Sequence, residues 1–313
     1  VFVRNFSETG DFERLRRRVP ELRDLGVDVL WLMPIHPIGV ENRKGEGPGS
    51  PGSPYAIMDH MAINPDFGTA EDLHRLVETV HENGMRIIID AVLNHSSPDA
   101  PLTQSSPELY LRDENGVPRP ENADWWDVVD FDWSNREVWD YFLGVLEYWV
   151  REFNIDGYRC DVASLMPTEF WEEARTRLDA IRPDLLMLAE SDAPDLHRAA
   201  FDLSYNWTLW DAMAPVLRGE LPASALSDAM LLDMCTFQAG ALRMPFAENH
   251  DKERAVREFG GVEPAKVAAL IALTVAPCPM IYNGQEVGYD AVRDIFERVP
   301  IDWSDPHGVR PFF

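Results

Sequence analysis

A chain of 313 residues with 45% hydrophobic content and ten tryptophans has enough apolar surface for one large α/β barrel or two average domains. With 54 acidic against 28 basic residues its formal charge is −26, which argues against nucleic acid and anionic membrane surfaces and suits a neutral substrate. Three cysteines without close spacing, Cys160, Cys235 and Cys278, imply neither a disulfide framework nor a zinc pattern.

Only Lys44, Lys252 and Lys266 are lysines, a composition compatible with a salt-adapted source, with a GC-rich genome or with simple solubility. No apolar run approaches the length of a membrane-spanning helix. No signal peptide is visible, which favours a cytoplasmic setting, and the opening on a strand-like run leaves room for a trimmed upstream segment.

In chain order, apolar runs rich in β-branched residues fall at 1–6 (VFVRNF), 27–33 (VDVLWLM), 86–92 (RIIIDAV), 157–161 (GYRCD), 185–190 (LLMLAE), 201–205 (FDLSY), 242–248 (LRMPFAE) and 279–284 (PMIYNG). Their hydrophobicity is nearly continuous, as expected of strands covered on both faces. Helical patterns lie between most of them. Thr69 with Asp72 starts one, whose Leu73, Leu76, Val77 and Val80 share a face before Gly84 stops it. Ser134 and Glu137 have the spacing of a capping box before the run beginning at Val138, and Pro167 and Pro264 sit where first helical turns begin.

Eight strand–helix units predict a (β/α)8 barrel. Two stretches break the alternation: a Gly/Pro/Ser-rich loop over 34–68 and an insertion over 94–133. Both follow strand C-terminal ends, the face where such barrels build their sites. The expected division is 1–93 for strands 1–3, 94–133 for a small inserted domain and 134–313 for strands 4–8. After the eighth run no eighth helix has room to form, and an uncovered apolar face there invites a partner, such as a second copy of the chain.

Four of the eight strands close on an acid: Asp90, Asp161, Glu190 and, just beyond the seventh, Asp251. Any one of them alone reads as a structural carboxylate. Four converging on one rim would repel each other without a task or paired cations. Alternation along GYRCD puts Arg159 and Asp161 on one face and Tyr158 and Cys160 on the other, so Arg159 can hold Asp161 ionised. His95 follows Asp90, and His250 precedes Asp251, as candidate hydroxyl-binding donors. An ionised carboxylate facing a protonated one is the apparatus of glycoside hydrolysis. Burial at the end of LLMLA would raise the pKa of Glu190 and suit it to donate the proton.

The segments DAVLNHSS (90–97), DGYRCDVAS (156–164), LAES (188–191) and FAENHD (246–251) resemble, in order, the four signature segments of the α-amylase family of glycoside hydrolases. VFVRNF, LRDLGVDVLWLMPIHP and SPYAIMDHMAINPDFGT are similar to that family's opening, so the likeness covers nearly the whole chain. The resemblance implies Asp161 as nucleophile, Glu190 as general acid/base and Asp251 as the residue that binds the 2- and 3-hydroxyls of the distorted sugar. It further implies Arg159 orienting Asp161, Asp90, His95 and His250 binding the sugar beside the scissile bond, and Tyr55 stacking on its face. The implied reaction is retaining cleavage of α-1,4-glucosidic bonds in malto-oligosaccharides or starch through a covalent glucosyl-enzyme.

Ser164 and Leu165 stand where typical starch-cleaving members carry Lys-His. A short SETGDF replaces the aspartate loop that binds calcium in some relatives, so no metal is expected there and no cofactor is required; Asn94 matches a calcium-ligating position in many amylases, with plain hydrogen bonding as the competing role. The β-sandwich that usually follows the barrel is not among these residues. Trp125, Trp126 and Trp133 either stack on sugars at outer subsites or pack the insertion onto the barrel, while Asp130 and Asp132 either contact sugars or cap the following helix. The alternatives to hydrolysis are a transglycosylase or glucoside isomerase using the same site, or a catalytically inactive relative serving as a binding or scaffold subunit.

Overall fold

The computed structural model describes residues 1–47 and 49–313; Pro48, inside the loop expected over 34–68, lies outside the described residues. Backbone contacts divide the chain into two compact units, Val1–Met187 with Asp294–Pro300, and Leu188–Arg293 with Ile301–Phe313.

The first unit opens with three short helices, α1 (Val3–Phe6), α2 (Phe12–Arg16) and α3 (Val19–Asp24), before strand β1 (Val29–Leu32). Residues 1–6 were expected as a strand, but only Val1 lies beside β1, with its amine donating to the Trp31 carbonyl and its own carbonyl accepting from Met33 N at 2.9 Å. The reason is Arg4. Its buried guanidinium donates to the carbonyls of Gly52 (2.8 Å) and Ile295 (3.0 Å), contacts that an extended run could not direct sideways into two loops.

Helix α4 (Ala70–Glu82) starts at Thr69 as expected, with a capping box formed by Thr69 and Asp72, and buries Leu73, Leu76, Val77 and Val80. Strand β2 (Arg86–Ala91) then pairs in parallel with β1, Leu30 opposite Ile87 and Leu32 opposite Ile89. The insertion holds strand β3 (His95–Ser96), helix α5 (Pro101–Ser105) and strand β4 (Val129–Asp130), and pairs β3 antiparallel to β4 with His95 opposite Asp130.

Helix α6 (Arg136–Phe153) is capped by Asn135, which accepts from Glu137 N at 2.9 Å, rather than by Ser134. Ser134 is taken up by Asp132, whose Oδ1 accepts from the serine N (3.0 Å) and Oγ (2.6 Å). Strand β5 (Gly157–Cys160) pairs in parallel with β2 and puts Arg159 opposite Asp90. Helix α7 (Thr168–Ile181) follows Pro167 and packs beside α6.

Strand β6 (Leu186–Ala189) straddles the division between the units. In the second unit its Leu188 and Ala189 pair with β7 (Leu203–Tyr205), which pairs in turn with β8 (Leu242–Met244), all parallel. Helices α8 (Trp207–Leu217), α9 (Ser224–Thr236), α10 (Ala255–Glu258) and α11 (Val262–Val275) belong to this unit. Buried Arg243 of β8 ties the strands to α9 through Asp233 Oδ1 (3.0 Å) while its guanidinium lies over the Phe237 ring at 3.7 Å.

The run 279–284 was expected as an eighth strand. Among the described residues it makes one β-bridge, Phe246 to Met280, with Met280 N donating to Pro245 O at 3.0 Å. Pro245 and Pro279 lack the N–H groups that a longer ladder needs. No α-helix follows Val275 among the described residues, and none is long and apolar enough to cross a membrane.

Candidate active site

Parallel pairing of β2 with β5 sets the first part of the site. Because Asp90 lies opposite Arg159, and residues two apart in a strand share a face, one guanidinium reaches acids on two neighbouring strands. Arg159 Nη1 donates to Asp90 Oδ1 at 2.8 Å and to Asp161 Oδ1 at 2.7 Å. Arg159 and Asp90 are wholly buried, whereas Asp161 keeps a little exposure at 6%. Two acids against one such cation leave the cluster one negative charge in excess. That excess is counted over these three groups alone, and the edge at Asp161 is the part of the trio that is open.

Tyr55 comes from the long loop after β1. Its hydroxyl donates to the other oxygen of Asp90 at 3.3 Å, and its ring lies 5.9 Å from the Arg159 guanidinium, with Trp31 at 5.3 Å on the same cation. His95 is buried, and burial pushes its pKa down to about 4, helped by Lys44, so its imidazole is neutral near pH 7. Its buried Nδ1 has no hydrogen-bond partner among the described residues, and its ring meets Trp125 edge-on at 5.7 Å. Tyr158 and Cys160 point to the opposite face as expected: Tyr158 Oη donates to the Leu146 carbonyl at 2.5 Å, and burial pushes the Cys160 thiol well above its ordinary value.

The residue after Asp161 is conformationally unusual. Val162 has φ 39° and ψ 44°, in the left-handed region that a β-branched side chain rarely enters. Directly after it, Ser164 and Leu165 lie exposed in a 3-10 turn (Ala163–Leu165).

In the second unit Glu190 follows β6 and is half-buried, less enclosed than its apolar flank implied. His250 is buried, and its Nε2 lies 3.2 Å from Oδ2 of the exposed Asp251. Sequence reasoning passed over Glu248 of the same FAENHD segment. Its Oε1 accepts from Arg254 Nη1 at 2.7 Å and its Oε2 from Ala255 N at 2.5 Å, while Arg254 also donates to the Asn283 carbonyl at 3.0 Å. Glu248 is thus the acid that holds the segment's shape, and no periodicity in the sequence marks that pairing.

Of the sequence-predicted residues, Tyr55, Asp90 and Asp161 thus meet around the Arg159 guanidinium, with His95 in the same unit; in the other unit His250 meets Asp251, and Glu190 stands at the end of β6. In the insertion, Trp133 packs on Phe142 (5.6 Å, 18°) and Phe170 (4.7 Å, 61°). Asp132 shapes the turn into α6, and Asp130 accepts from Glu121 N at 3.0 Å. The Asn94 carbonyl accepts from Phe131 N at 2.9 Å. Among the described residues no three of His, Cys, Asp or Glu converge to hold a cation.

The family described as alpha amylase, catalytic domain matches residues 3–126 and 121–307. The chain belongs to this family. A maltogenic α-amylase from Bacillus acidopullulyticus is 30% identical over 320 residues, covering 94% of this chain and 52% of that protein. An α-amylase crystal structure from Lactobacillus plantarum superposes with a TM-score of 0.91 at 37% identity, over 99% of this chain and 76% of that one. The maltogenic α-amylase AmyB from Thermotoga neapolitana superposes with a TM-score of 0.90 at 36% identity, over 97% and 71%. The (β/α)8 barrel read from the strand–helix alternation is the fold of this family. The chain spans about half the length of the curated relatives it matches.

Proposed function

We propose that this protein is a retaining α-glucan hydrolase that cleaves α-1,4-glucosidic bonds in malto-oligosaccharides or starch. The observation that carries the reading is the Asp90–Arg159–Asp161 cluster: a family signature whose central cation is buried and whose one partly open acid is the residue in the nucleophile's place. In this reading Asp161 attacks the anomeric carbon, Glu190 protonates the leaving oxygen and then draws a proton from water, and Asp251 binds the sugar's 2- and 3-hydroxyls. Neutral His95 supplies a buried ring nitrogen for a hydroxyl, and Tyr55, tethered to Asp90, presents its ring to the sugar face. His250 binds the same sugar, and neither step requires a cofactor.

The test is turnover of maltose through maltoheptaose, at low and high salt, with the anomer of the first product read by NMR. The α-anomer should appear first, and Asp161→Asn should cut kcat by about three orders of magnitude or more. A β-anomer as first product, or an Asp161→Asn protein that turns over normally, would overturn the assignment. Excess acceptor sugar in the same assay separates hydrolysis from transfer.

A further inference from the structure

Lys44 is one of three lysines in the chain, and its half-buried ammonium is taken up by intramolecular contacts. Its Nζ lies 2.7 Å from Oδ1 of Asp127, whose side chain is 5% exposed, and 3.4 Å from the Asp124 carbonyl. The same ammonium lies 5.5 Å from the centre of the Trp126 ring and 6.0 Å from that of Phe296. Lys44 is the only ion-pair partner of Asp127 among the described residues.

The ends of this contact belong to different parts of the site. Lys44 sits in the loop that carries Tyr55, and several hydrogen bonds among its described residues surround it. Arg43 donates to the carbonyls of Gly39 (2.7 Å), Ile38 (3.1 Å) and Ser50 (3.2 Å). The Lys44 carbonyl accepts from Ser50 Oγ, and Gly45, at φ +131°, turns the chain so tightly that a Cβ would stand 1.8 Å from that oxygen. Gly39 N donates to Ala56 O at 3.0 Å, beside Tyr55. Asp127, in contrast, belongs to the insertion, two residues from Trp125 against His95.

We propose that Lys44 is a positioning residue for sugar binding: its pairing with Asp127 clasps the insertion, with Trp125 and His95, to the loop that presents Tyr55. The inference rests on the proposed α-glucan activity. A buried carboxylate stripped of its cation must find water or a proton. Without Lys44 the segment around Asp127 therefore moves outward, and the insertion-borne side of the sugar site moves with it. The ammonium itself touches no reacting atom.

The experiment compares Lys44→Met, which keeps the stem and loses the charge, with Lys44→Arg, which keeps the charge. Hydrogen exchange is followed in residues 119–131, and KM and kcat are measured on maltoheptaose. In Lys44→Met, exchange across 119–131 should rise about tenfold while α4 stays protected, and KM should rise about tenfold with kcat falling less than threefold. Lys44→Arg should restore both. Wild-type exchange in Lys44→Met would overturn the clasp. Raised exchange with an unaltered KM would reduce the pair to a structural tie and overturn the positioning role. If the wild-type protein turns over no α-glucan, the functional reading fails, and the exchange result still decides whether the clasp exists.

Discussion

At Val162 the backbone adopts a conformation that costs a valine of the order of 1–3 kcal/mol, immediately after Asp161. Asp161 N donates to the Ala91 carbonyl at 3.0 Å, and Leu165 N closes the following turn onto Val162 O at 2.9 Å. The strained residue thus sits between a strand end and a turn that together aim the carboxylate. Glycine enters the left-handed region without the steric clash of a β-carbon, at a smaller cost in chain entropy. Val162→Gly should raise the melting temperature by about 2–4 °C, since roughly 1 kcal/mol of relief in a domain of this size converts to that shift. It should also lower kcat by loosening the aim of Asp161. A lower melting temperature with kcat intact would show that this conformation stores no strain. The acids at strand ends could be read from the sequence, because alternation fixes which side chains share a face. Val162 could not, since its neighbours fix the angle from outside, and neither could the pairing of Lys44 with the distant Asp127.

At the scale of elements, helices were the most legible part. The face of Leu73, Leu76, Val77 and Val80 follows from spacing alone, and the Thr69–Asp72 box is closed in both directions. The start of α6 was ambiguous, because Ser134 and Asn135 are both good caps and the choice is made by Asp132. Asn135→Ala and Thr69→Ala should each cost about 1 kcal/mol in chemical denaturation, the usual worth of an N-cap. Ser134→Ala should cost clearly less; an equal cost would reinstate the serine as the cap. The outer strands failed for tertiary reasons. Residues 1–6 carry strand-like side chains, yet Arg4 needs its carbonyl partners in two loops, and prolines 245 and 279 limit the last run to one bridge. Propensity sees neither demand.

For the whole molecule, pH reveals how the interior was built. His36 and His60 are buried among Trp149, Phe142 and Phe131, with ring nitrogens against the carbonyls of Ala62 (3.1 Å) and Val92 (3.0 Å). Burial pushes His36 down to about 4 and His60 to about 3. Between their ordinary value near 6.5 and those depressed values, the unfolded chain takes up protons that the folded one refuses. Stability therefore falls as pH drops through that window, by about 1.4 kcal/mol per pH unit for each histidine. Denaturant midpoints between pH 6.5 and 5, above most carboxylate titrations, should slope accordingly, and the slope should flatten in a His36→Gln, His60→Gln double variant. An unflattened slope would place the acid sensitivity elsewhere.

The shared guanidinium has a consequence for the proposed reaction cycle. When the Asp161 oxygen becomes an ester to the sugar, the trio of Asp90, Arg159 and Asp161 passes from one surplus negative charge to neutrality. Within the trio the cation is then still matched by Asp90. A second acid on the neighbouring strand thus keeps the covalent halfway species from stranding an unopposed cation in the interior, and water can complete the second displacement against an electrically settled background.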